Sequence, residues 1–158
     1  MKIGKILIGV DDSTYAHNAA AYGFDVARRY NAAVGLVHII EPIVYPPDAN
    51  DGFTGISMDP NLGLMQTELV NLQSEQSSAV IEGIIEEFGS GLDVSKFVEY
   101  DNTGDGIITC AKEFNADLIV VGTHKRSGLD RLLLGSIAES VIRHSNIPVL
   151  VVPFAEEE

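Results

Sequence analysis

The chain has 158 residues, room for one domain with a sizeable core, and its 23 acidic against 10 basic residues give a formal charge of -13. That balance speaks against binding nucleic acid or an anionic membrane through a basic face, which takes clustered Lys and Arg. No apolar run reaches the roughly 20 residues of a membrane span. Asp11 and Asp12 interrupt the only apolar opening segment, and the single cysteine, Cys110, has no partner for an intramolecular disulfide, so a cytoplasmic chain without a signal peptide is expected.

KILIGV (Lys5 to Val10) is a short β-rich run, apolar enough to be covered on both faces, as in the middle of a parallel sheet. It ends in Asp11-Asp12-Ser13, where Asp12 or Ser13 can cap a helix. In that helix Ala16, Ala20, Gly23, Phe24 and Ala27 recur at three- and four-residue spacing, a stripe of mostly small residues that predicts close contact with a sheet. AAVGLVHII (Ala32 to Ile40) is a second strand, stopped by Glu41-Pro42. His38 on it reads as a satisfied core histidine.

From Glu41 to about Leu62 the chain carries Pro42, Pro46, Pro47 and Pro60 among Gly and Asn turns, and a long irregular stretch of this kind is expected to form a mobile flap, taken as residues 41–62. A helix is predicted from about Leu64 to Phe88, with Leu69, Leu72, Val80, Ile84 and Phe88 on its packed stripe and Gly89-Ser90-Gly91 ending it. VSKFVEY (Val94 to Tyr100) alternates like a strand at a sheet edge. A helix over Asp105 to Phe114 presents Ile107, Ile108, Ala111 and Phe114, with Cys110 read as a small core residue; ADLIVVG (Ala116 to Gly122) is a buried strand; GSIAESVIRHS (Gly135 to Ser145) is a helix packed through Ile137, Val141 and Ile142. NIPVLVVPF (Asn146 to Phe154) is a last strand. Strands alternating with helices predict a parallel sheet with right-handed crossovers and helices on both faces. A ligand then sits beyond the carboxyl ends of the strands, where Asp11 and Gly122 flank the point at which the strand order reverses.

Between the last two elements lies GTHKRSGLDRLLLGS, Gly122 to Ser136. A glycine closing a strand and another opening a helix let backbone approach a ligand, and the helix start offers free N–H groups to an anion, with the Ser136 hydroxyl beside them. Lys125, Arg126 and Arg131 make this loop a positive island in an acidic chain, opposed within it only by Asp130. An ordinary turn with solvated cations has the same composition.

Over nearly its whole length the chain resembles the universal stress protein family. The resemblance rests on ILIGVDDS at the start, LVHII closing the second strand, and NADLIVVGTHKRSGLDRLLLGSIAESVIRHSNIPVLVVP at the end. It implies a three-layer α/β/α sandwich on a five-stranded parallel sheet of order 3-2-1-4-5, Rossmann-like and similar to the adenine nucleotide alpha hydrolases, in a single domain spanning 1–158. Nucleotide-binding members carry a glycine, two residues, a second glycine, nine residues, then Gly-Ser or Gly-Thr, and here Gly122, Gly135 and Ser136 match in spacing. Lys125 stands where the second glycine belongs. A left-handed backbone there would cost lysine about 1 kcal/mol or more. A tolerant backbone would instead let the ammonium stand in for the missing N–H contact, and the remaining anion-site elements favour retained binding.

Carried over by position, the resemblance implies ATP as cofactor, with or without Mg2+. Gly9 and Asp11 would border the nucleotide, Ile39 and Val121 would flank the adenine, and Gly122, His124, Lys125, Gly135, Ser136, Ile137 and Ala138 would line ribose and phosphates. It also implies a homodimer through the final strand, Pro148 to Val152. The function so implied is a stress-response or regulatory module that binds an adenine nucleotide. The alternatives are a slow ATP-hydrolysing enzyme, for which only His124 and Asp11 offer a base near the phosphates, or a member that has lost the nucleotide and acts through protein contacts. A phospho-acceptor receiver is excluded because the last strand ends VVPF without the lysine such domains require.

Overall fold

A computed structural model describes residues 2–42, 60–124 and 135–154, with no account of the side chains of 60–62 and 124. Five strands, β1 (Lys5–Gly9), β2 (Ala33–Ile40), β3 (Val94–Tyr100), β4 (Leu118–His124) and β5 (Val149–Phe154), form one sheet of order β3-β2-β1-β4-β5 with every pairing parallel. Helices α1 (Thr14–Tyr30) and α2 (Pro60–Phe88) cover one face, α3 (Thr103–Phe114) and α4 (Ser136–His144) the other. This is the three-layer fold and strand order expected from the sequence.

The small-residue stripe of α1 does what its spacing predicted. Ala16, Ala20, Gly23, Phe24 and Ala27 are all buried, and a Cβ on Gly23 would lie 2.5 Å from Ile8 Cδ1, so the helix rests directly on β1. Ser13 is the N-cap, its Oγ accepting the Ala16 N–H at 3.2 Å. The stripe assigned to the second helix holds only in part. Ile84 is buried and Val80 and Phe88 are half-buried, whereas Leu69 and Leu72 are 45% and 54% exposed. The helix starts at Pro60, earlier than Leu64, and its first half carries Leu64, Met65, Leu69, Val70 and Leu72 all exposed, so only its second half has sheet beneath it. In α4 the packed residues are Ala138 and Val141; Ile137 and Ile142, expected on that side, are exposed. The expected flap falls mostly on residues 43–59, outside the described residues. Cys110 is buried in α3, and burial pushes its thiol up to about 12.

The amino-terminal rim of the sheet is built from one corner used twice. After α1, Asn31 takes a left-handed conformation (φ 51°) and the Ala32 N–H reaches back to the Ala27 carbonyl at 2.9 Å. After α3, Asn115 (φ 57°) and the bond from Ala116 to Ala111, also 2.9 Å, repeat it. Asp117 closes the same rim by accepting the Gly4 and Lys5 N–H groups at 2.8 and 3.0 Å.

Candidate functional site

The opposite rim opens into a cleft. α1 leaves β1 over one face of the sheet and α4 follows β4 on the other, so the carboxyl ends of these adjacent strands part. The floor and walls come from Gly9, Val10 and Asp11 after β1, Val37, His38 and Ile39 of β2, and Val121 and Gly122 of β4. Tyr15 and Ala16 of α1, Thr103 and Ile107 of α3 and Ile137 of α4 complete it.

Gly122 was expected to close its strand and leave backbone open to a ligand. It lies inside β4, which continues to His124, and an added Cβ would sit 2.4 Å from the Tyr15 carbonyl oxygen and 2.8 Å from its carbon. The first turn of α1 occupies that space, which is a packing reason for glycine. Gly135 differs. Its φ of -55° and ψ of 149° suit any residue, and a Cβ would meet nothing nearer than Thr123 Oγ1 at 3.6 Å. Nothing in the described fold requires glycine at 135.

Three helix starts reach the cleft, and they differ in what satisfies them: α1 is capped by Ser13. At α3 the Glu41 carboxylate accepts both the Thr103 hydroxyl at 2.5 Å and the Thr103 N–H at 3.3 Å, so this positive helix end already has an anion. At α4 the N-cap residue is a glycine, the side-chain bond found there among the described residues runs from the Gly135 N–H to Thr123 Oγ1 at 3.1 Å, and Gly135, Ser136 and Ile137 are exposed.

Two glycines seat α3 beside the cleft. A Cβ on Gly106 would press on Ile39 Cδ1 at 2.8 Å, and one on Gly104 would meet Ser140 Oγ of α4 at 2.5 Å.

The polar groups of the cleft are few. Asp11 Oδ1 accepts the Ser13 N–H at 2.8 Å, so Asp11 shapes the entry to α1 while also lining the cleft. His38 is not the satisfied core histidine expected: its buried Nδ1 has no hydrogen-bond partner among the described residues. Burial holds its pKa below the usual value, with Asp11 and then Asp12 pulling the other way. No group of three or more His, Cys, Asp or Glu among the described residues could hold a metal ion.

Of the residues singled out in the sequence, Gly9, Asp11, Ile39, Val121, Gly122 and Ile137 share this one cleft. Gly135 and Ser136 stand at the start of α4, while the Ala138 side chain is 1% exposed in the core, leaving only its backbone for a ligand. His124 ends β4 in register with Phe154, and Lys125 lies outside the described residues. Sequence reasoning missed His38, as a cleft residue, and Thr103. The available signal was TGDG opening the third helix, since paired glycines there imply close approach on two sides.

A family model described as the universal stress protein family matches residues 2–153. The chain belongs to that family. Two universal stress proteins of Methanocaldococcus jannaschii are similar to it: one is 30% identical, covering 98% of this chain and 84% of the relative, the other 34% identical, covering 94% and 93%. The solved structure of the second superposes with a TM-score of 0.76 over 99% of this chain and 100% of its own, at 26% identity in that superposition. At lower identity the fold is shared with universal stress proteins solved in complex with dAMP, from Archaeoglobus fulgidus (23%, TM-score 0.59, covering 96% of this chain and 99% of the other), and with cAMP (20%, TM-score 0.64, 97% and 98%). No described helix is long and apolar enough to cross a membrane.

Proposed function

We propose that this universal stress protein binds an adenine nucleotide, ATP, in the cleft and serves as a cytoplasmic stress-response module whose liganded state its partners read. One observation carries the reading. The exposed start of α4 is fronted by Gly135, a glycine that no packing among the described residues requires, and through Ile137 it adjoins the same cleft as the apolar pair Ile39 and Val121. A flat heteroaromatic base suits those two side chains, and phosphates suit the open helix end. The unpartnered His38 Nδ1 is consistent with a ligand that supplies the missing hydrogen bond. Asp11 is placed to accept from a ribose hydroxyl or an amino group, and its carboxylate repels phosphate, which orients the nucleotide with its phosphates toward α4. The Ser136 hydroxyl, at the phosphate end, is an oxygen donor of the type Mg2+ takes when it arrives with a triphosphate. The dAMP and cAMP complexes of fold neighbours support an adenosine phosphate as ligand.

The module is proposed to act as a homodimer. Among the described residues β5 pairs only with β4 and its other edge has no strand beside it, and Val149, Leu150 and Val151 on it are half-buried apolar residues without a charge among them. An antiparallel copy of Pro148 to Val152 would cover them.

The test is to purify the chain without denaturant and identify carried nucleotide by mass. Gly135→Val is then titrated with ATP by calorimetry. Binding should be lost with the fold intact, because a β-branched side chain would stand where the phosphates approach. Wild-type affinity in Gly135→Val removes α4 as the phosphate site.

A further inference from the structure

Thr103 has not been assigned a role, yet it lines the cleft together with Ile39 and Ile107. Resting on the nucleotide reading above, we infer that Thr103, polarised by Glu41, is the residue that tells adenine from a 6-oxopurine.

The argument is one of hydrogen counting. A threonine hydroxyl has one proton and two lone pairs. Here the proton goes to Glu41 Oε1 at 2.5 Å, and the same carboxylate oxygen accepts the Thr103 N–H at 3.3 Å. A hydrogen bond to a carboxylate is roughly twice as strong as one between neutral groups, so a ligand does not win that proton away. What Thr103 offers a ligand is therefore lone pairs alone. The exocyclic amino group of adenine donates and is matched; the 6-carbonyl of hypoxanthine or guanine meets lone pair with lone pair and is refused.

Thr103 is also held still enough to discriminate. Its β-branch restricts χ1. Gly106 lets α3 settle onto Ile39, where a Cβ would come to 2.8 Å, and Gly104 lets it abut Ser140, where a Cβ would come to 2.5 Å. Ile39 and Val121, 8% and 2% exposed, supply apolar walls for the ring faces and leave its edge to Thr103. Asp11, which accepts the Ser13 N–H through Oδ1 and keeps Oδ2 as a second acceptor, is given the ribose hydroxyl rather than the base in this placement, and His38 Nδ1 can present either a lone pair or a proton depending on its tautomer.

The experiment measures affinities of ATP and inosine triphosphate on the whole chain by calorimetry. Wild type should prefer ATP by roughly tenfold, about one hydrogen bond's worth. Thr103→Val, which keeps the shape and removes the lone pairs, should bring the two affinities within about threefold, and Thr103→Ser should restore the preference. Glu41→Ala frees the hydroxyl proton to turn toward a carbonyl and should raise inosine triphosphate affinity with Thr103 still present. An unchanged ATP preference in Thr103→Val overturns the inference and leaves the nucleotide reading standing, as does equal affinity of wild type for both nucleotides. Absence of binding by either nucleotide to wild type overturns both. If Thr103→Val does not fold, as judged by circular dichroism, an unchanged preference in Glu41→Ala is the overturning result.

Discussion

Thr123 Oγ1 accepts the Gly135 N–H at 3.1 Å, so the end of β4 and the start of α4 are tied directly across the intervening residues. The bond fixes the helix start relative to the sheet, and with it the direction in which the remaining N–H groups point. Thr123→Val removes the acceptor without changing the shape of the side chain. It should cost about 1 kcal/mol of stability and lower ATP affinity several-fold, and Thr123→Ser should be close to wild type in both. Wild-type ATP affinity in Thr123→Val would mean that α4 holds its place without the tie.

The two glycines of the site motif should separate cleanly in stability. Gly122→Ala drives a Cβ against the backbone of Tyr15, which cannot swing aside, and should destabilise by about 2–3 kcal/mol in urea unfolding. Gly135→Ala enters open space in an ordinary conformation and should change stability by less than about 0.5 kcal/mol. Equal losses at the two positions would contradict the packing described.

His38 sets a pH dependence whose sign follows from burial. Its folded pKa lies below the ordinary value of about 6.5, so above that pH both folded and unfolded states are neutral at this residue and stability is flat. As pH falls below about 6.5 the unfolded chain takes up the proton first, and stability declines until the folded pKa is passed. Denaturant melts of wild type and His38→Gln from pH 7.5 to 5 should show the steeper acid-side loss in wild type. Parallel curves would show that this imidazole is not buried neutral.

The proposed dimer predicts a mass change. Val151→Lys places a charge on the free edge of β5, and light scattering at low micromolar concentration should report a monomer where wild type is a dimer. A variant that stays dimeric would place the interface elsewhere.

Much of the fold was legible because it depends on repetition. The small-residue stripe of α1 and the alternation of strand and helix follow from spacing alone and lead to a parallel sheet with helices on both faces, whereas the strand order rests on the family resemblance. What spacing omits is extent. The apolar pattern of α2 continues through Leu69 and Leu72 although no sheet lies beneath them, because periodicity marks a face without saying how far its partner reaches. Gly122 shows a related limit. A glycine in an apolar run reads equally as a strand end, a ligand contact or a packing contact, and only the position of the Tyr15 backbone separates these. Asp11 and Gly122 could be placed together in advance, since topology brings them to one rim. Thr103 and Glu41 could not, because their contact joins positions 62 apart in the chain and leaves no periodic trace.

The paired corners at Asn31 and Asn115 imply a division of labour between the rims of the sheet. Both return the chain to the sheet with the same handedness and the same backbone bond, so the strands enter on fixed bearings. Loops at the far rim can then change length or composition with little effect on strand alignment, as signs can be changed on a wall whose foundations stay put. A scaffold with its stiffness concentrated at one end is free to diversify at the other.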